Sequence, residues 1–260
     1  MPRSLIALLR SLAAAAALLA TTPAAANEFA ALDRMAANSR FGVQTDFTHD
    51  GAADMLPRTE IFGRYQIDRN LGVYAQFPIT HMLPQQGEGE TAMGNLELGA
   101  HLRIPLGGAK VVFRIGVALP TSHLEDRNAE ALLRNAWPRL TDFAQQLPET
   151  TSIRASISPM AAAGAFFFRA DLGADVLLDA DDRDSKLLLR ANLGVGAWIK
   201  SVAITAEFVN LGNAQELAKD AFAHTVGVSV RHGVLYTAMT APIDEDRLIY
   251  AWTVGVQGTP

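Results

Sequence analysis

The sequence predicts an all-β fold: an antiparallel, up-and-down transmembrane β-barrel of about 12 strands with a helical extracellular loop. Three observations predict it. Apolar and polar residues alternate with period two over most of the chain beyond residue 39, a strand signal and not a helix signal. Short and long connections alternate between the candidate strands, as in barrels of the bacterial outer membrane. Beyond residue 26 no apolar run is long enough for a membrane-crossing helix. A membrane-embedded chain of this kind must therefore satisfy its backbone hydrogen bonds in a closed barrel.

The chain starts with Arg3 and Arg10, an Ala/Leu-rich run, and the small residues Ala24, Ala25 and Ala26. That is the pattern of a secretory signal peptide over residues 1–26. Its removal takes away two arginines and no acid, shifting the net charge from −5 to −7. No basic excess then points to nucleic acid as a partner. There is no cysteine, which excludes a disulfide scaffold, a thiolate metal site and a cysteine nucleophile. Residues 27–39 place Phe29, Leu32 and Met35 at helical spacing. They read as a periplasmic segment: a short helix, a lumen plug or a disordered leader.

The barrel domain is expected over residues 40–260. In the first strand Phe41, Val43, Thr45 and Phe47 oppose Gln44, Asp46 and Thr48. The second, about 58–67, ends in the tight turn Asp68-Arg69-Asn70. The third, 71–78, leads into a longer loop, roughly 79–92. The central stretch, 94–121, is the clearest hairpin. Leu96, Leu98, Ala100 and Leu102 share one face of its first strand, and Val111, Phe113, Ile115, Val117 and Leu119 one face of its second. Gly107-Gly108 turns it.

The longest insertion follows, 122–150. Within it Ala129, Leu132, Leu133, Ala136, Leu140 and Phe143 recur at spacings of three and four, an amphipathic helix able to cap the mouth of the barrel. Pro138 predicts a kink or two short helices. Seven more strands come after it, turning at Ala163-Gly164, Lys200-Ser201 and His232-Gly233. The tight turns fall on one side, which predicts a periplasmic location for them and for both ends of the barrel domain. The same pattern leaves ten or fourteen strands as alternatives. A soluble periplasmic barrel or sandwich that binds a ligand would also alternate, with its apolar face turned inward.

The central hairpin resembles the phenol meta-degradation outer-membrane protein family, whose members are described as transporters. It carries Gly94-Asn95-Leu96-Glu97-Leu98-Gly99 and closes in Leu119-Pro120-Thr121-Ser122. Residues 166–178 and 203–212 fit the same pattern. Asn95 stands where that family usually has Asp, and Ser122 where it usually has Gly. The final aromatic common to such barrels is also missing, since the chain closes in Gly258-Thr259-Pro260. The resemblance implies an outer-membrane channel or transporter for passive uptake of small molecules, with hydrophobic or aromatic compounds as candidates.

Catalytic chemistry finds no support. The histidines are His49, His81, His101, His123, His224 and His232. No G-x-S-x-G elbow and no barrel-phospholipase His-x-Ser-Asn-Gly stretch accompanies them. The run 179–185 (DADDRDS) lacks the glycine and terminal glutamate of an EF-hand loop and reads as solvated charge. No enzyme, metal or cofactor is expected. The expected partners are outer-membrane lipid and a small-molecule solute.

The functional content lies in charges opposite the apolar face. The lumen-facing candidates are Arg64, Arg103, Arg114, Arg154, Arg169, Arg190 and Arg231, with Glu60, Glu97, His101, Asp171, Asp175 and Glu207 among them. Lys110 and Asp46 share this facing. Either these groups pair into a network that closes the barrel, or they line a water-filled pore. The near balance of signs predicts weak ion selectivity.

Overall fold

A computed structural model describes residues 29, 39–49, 55–82, 90–122, 132, 135–179, 185–215, 222–244 and 249–259. Thirteen strands follow in chain order: β1 (Arg40–His49), β2 (Met55–Gln66), β3 (Leu71–Met82), β4 (Glu90–Met93), β5 (Leu96–Leu106), β6 (Ala109–Leu119), β7 (Thr150–Ala163), β8 (Phe166–Asp179), β9 (Lys186–Ile199), β10 (Val202–Asn213), β11 (Phe222–His232), β12 (Leu235–Pro242) and β13 (Tyr250–Gly258). All pairings are antiparallel, and β1 joins β13 from Phe41↔Gly258 to His49↔Tyr250, closing the sheet on itself. Both β4 and β5 pair with β3, so they form one stave, and the barrel has twelve. The longest strands, β7 to β9, have 14 residues each. That exceeds the roughly 9–11 residues needed to cross a bilayer at a tilt.

The barrel is inside-out relative to a soluble one. Phe166 is 69% exposed and Ile115 59%, and the outward positions of every long strand carry similar apolar side chains. The inward positions carry the charges, and Arg58 and Glu97 are both 0% exposed. Outward apolar and inward charged faces are stable together only if the outer solvent is hydrocarbon. The soluble alternative needs the opposite facing.

The turns explain themselves locally. Gly107 takes a left-handed φ of 60°, which costs a residue without Cβ little. Lys200 does the same at φ 57° without that relief. At the β2–β3 turn Asp68 accepts the N–H groups of Asn70 and Leu71, each at 2.7 Å, and these bonds hold its carboxyl below the usual range.

Several boundaries move from those expected. Strand β2 starts at Met55, β3 runs on to Met82, and β4 begins at Glu90, so the connection expected over 79–92 shrinks to 83–89. A bulge interrupts the fourth stave. Gln76 pairs with Glu97 and Ile79 with Met93, so Phe77 and Pro78 face the three residues 94–96. The extra residue reverses the facing: Ala92 and Asn95 are both buried on the inner side, an even and an odd position.

Candidate functional site

The described residues of the segment after β6 do not sit over the barrel mouth. They fold into the lumen. Leu132, Asn135 and Ala136 are buried, and a 3-10 helix over Trp137–Gln146 follows. The helix is kinked at Arg139 (φ −130°, ψ 60°), directly after Pro138, as the proline predicts. Residues 123–131 lie outside the described residues, so the first part of the expected helix goes without description.

One wall around this segment is ionic. Arg58 donates to Asp46 at 2.7 Å and to Glu60 at 2.6 Å, and reaches Asp142 of the inserted helix at 3.4 Å. Arg139 donates to Asp142 at 2.7 Å and lies 3.7 Å from Asp46. A second cluster centres on Glu97. It accepts from Arg114 at 2.5 Å, Tyr74 at 2.7 Å, Gln76 at 3.0 Å, Gln145 of the helix at 2.7 Å, and Arg154. Arg154 also donates to the carbonyl of Thr141 and approaches Asp175 at 3.3 Å, where Arg190 donates at 2.9 Å. Arg169 grips Asp171 through Nη2, at 2.7 and 2.5 Å to its two oxygens. Charges this deeply buried persist only when paired and hydrogen-bonded.

The other wall is apolar. Phe167, Leu177, Leu188, Ala203, Val209 and Leu211 point inward from β8 to β10 and pack with Leu140 and Ala144 of the helix. Trp137, Phe143, Leu147 and Trp198 pack against this cluster. Phe29 joins it, edge-on to Phe167 with ring centroids 5.6 Å apart. The helix is therefore a strut between two unlike walls, with Leu140 and Ala144 toward one and Asp142 and Gln145 toward the other. Some buried groups find no hydrogen-bond partner among the described residues: both amide atoms of Gln146, and the hydroxyls of Ser152, Ser156 and Thr240. Groups of this kind call for water.

Charge is also sorted along the barrel axis. Nearest the short turns the inward charges among the described residues are Arg40, Arg64, Lys110 and Arg231, and Arg40 and Arg64 are direct cross-strand partners. Each of these four cations has interaction partners of its own. The acids begin deeper, at Asp171, Glu207 and Glu60, and continue outward to Glu97, Asp175 and Asp46. Tyr236 carries the Arg231 guanidinium 4.8 Å over its ring, and Tyr74 that of Arg114 at 4.2 Å.

Of the thirteen residues singled out from the sequence, Glu60, Arg64, Glu97, His101, Arg114, Arg154, Arg169, Asp171, Asp175, Arg190, Glu207 and Arg231 are buried inside the barrel. Arg103 is half-exposed at the rim and donates to the carbonyl of Arg69 in the β2–β3 turn. Arg58, Asp142, Arg139 and Asn95 belong to the same interior and were not singled out. Arg58 shares the parity of Glu60 but stands at the first position of the strand expected over 58–67, where alternation has no preceding residue to register against. Of the acidic run 179–185, residues 180–184 lie outside the described residues.

No protein-family model and no curated protein matches the chain by sequence. Solved structures do match its fold. An outer membrane channel from Pseudomonas putida F1 aligns with a TM-score of 0.55 at 12% identity, covering 89% of this chain and 98% of that one. The NanC porin gives 0.58 at 7% identity, over 85% and 99%. The KdgM porin, solved in complex with disordered oligogalacturonate, gives 0.53 at 8% identity, also over 85% and 99%. The fold is thus that of bacterial outer-membrane barrels.

Proposed function

We propose that the protein is an outer-membrane channel through which small solutes diffuse passively, past an inserted helix that narrows the lumen. The observation that carries the reading is the character of the interior. One wall of it is lined by charged and polar side chains, and the inserted helix meets that wall through hydrogen bonds and ion pairs that water can exchange. The likeness to porins and an outer-membrane channel supports it, and the oligogalacturonate on one of them is an anionic solute. In this reading residues 1–26 are the signal peptide, 27–39 a periplasmic segment whose Phe29 reaches into the lumen, and 40–260 the barrel domain. Hydrophobic or aromatic solutes have the Phe167–Leu188 wall as their surface, and the helix covers it.

A second reading, a closed barrel with no transport, is favoured by the complete burial of Arg58 and Glu97. Planar-bilayer recording separates the two. The purified folded barrel is expected to show discrete conductance, with a reversal potential close to zero in a salt gradient because the interior charges nearly balance. A variant with residues 123–147 replaced by a short Gly/Ser linker should conduct several-fold more, as the bore widens. Silence from both the full chain and this excised variant overturns the channel.

A further inference from the structure

We propose that Asn95 is a positioning residue that latches both ends of the inserted segment and so sets the bore of the lumen; the link to bore rests on the channel reading above. The bulge at 94–96 turns the Asn95 side chain inward, where it is 0% exposed. Its amide nitrogen donates to the carbonyls of Leu147 at 2.7 Å and Thr150 at 3.0 Å, with Ala144 at 3.4 Å. Its amide oxygen accepts from Ser122 Oγ at 2.7 Å and Ser122 N at 3.1 Å. Its backbone N–H donates to Gln145 at 2.7 Å.

One side chain thus ties the point where the segment leaves the wall, Ser122, to the stretch where it returns, Ala144–Thr150. The chemistry asks for asparagine. The site needs two donors toward carbonyls and an acceptor toward a hydroxyl and an N–H on one short, planar group. Aspartate has the acceptors only, and its carboxylate would face three carbonyl oxygens. Gly94 completes the fit, because a Cβ there would lie 2.8 Å from the Gln145 carbonyl and 2.7 Å from Pro78 Cγ.

Asn95→Asp, nearly isosteric, is the test. The variant is expected to keep heat-modifiable migration with a lowered unfolding midpoint, while single-channel conductance rises about twofold or more toward that of the excised variant. An external protease should then cut within 123–147, where the wild type resists. Ser122→Ala, which keeps the Ser122 N–H, should rise less. A merely structural role for Asn95 would lower the midpoint and leave both conductance and protease resistance as in the wild type. A folded Asn95→Asp barrel with wild-type conductance and protease resistance overturns the latch. If Asn95→Asp yields no folded barrel, the same readouts on Ser122→Ala decide. If even the excised variant is silent, the channel reading fails by itself, and protease access alone then tests the latch.

Discussion

Replacing Glu97 with alanine is expected to destabilise the barrel by about 3–5 kcal/mol, the range for removing one partner from a buried ion pair. Glu97 accepts from Arg114, Arg154, Tyr74, Gln76 and Gln145, which come from three strands and the inserted helix. Its loss leaves two guanidiniums without that partner in a setting where Glu97 itself is 0% exposed. The carboxylate also holds Gln145, so the segment loosens along with the wall. Trp137 and Trp198, both inside the barrel, give the emission signal for urea titration in vesicles. A loss under about 1 kcal/mol would mean that water screens the cluster as it does at a surface.

Ile115→Arg addresses the opposite face and should cost roughly 2–4 kcal/mol in lipid, as expected for Arg near the midplane of an outer-membrane barrel. Ile115 lies at the middle of β6, between Ala100 and Ala155 on the neighbouring strands, and is 59% exposed. Nothing across from it could take a guanidinium. Ile115→Leu at the same position should stay within about 0.5 kcal/mol of wild type. Near-wild-type stability of the arginine variant in vesicles would show that the Ile115 face does not meet hydrocarbon.

The two faces probed by these variants were legible from sequence because they meet different solvents, and period-two alternation records that difference at each residue. Glu97, Arg114 and Arg154 needed only parity to be placed. Three features resisted the same reading. The bulge at Gly94–Asn95 inserts one residue, so strict alternation carries Asn95 inward correctly but hides the reversal at Ala92. The apolar wall lies in stretches such as 166–168 and 187–189, where both parities are apolar. Phe167 and Leu188 are therefore indistinguishable by pattern from their lipid-facing neighbours. The helix around Leu140 was visible by its spacing, yet an amphipathic helix does not name its partner. Asp142 and Gln145 face Arg58 and Glu97, and that pairing exists only once the segment has entered the barrel.

The seam between β1 and β13 has a kinetic consequence. Inside the barrel, Thr253 donates to Asp46 at 2.6 Å across 207 residues of sequence, and Tyr236 donates to Gln44 across 192. Every other neighbouring pair of staves is local in the chain and can zip as a hairpin. The seam alone requires closing a loop almost as long as the barrel domain, and such non-local closure slows folding. Until it forms, β1 and β13 each present an open edge with apolar side chains beside it, a template for wrong pairing. Closure is thus the step at which a folding chain is most exposed to aggregation, and weakening the Asp46–Thr253 contact should slow folding more than it shortens the life of the finished barrel.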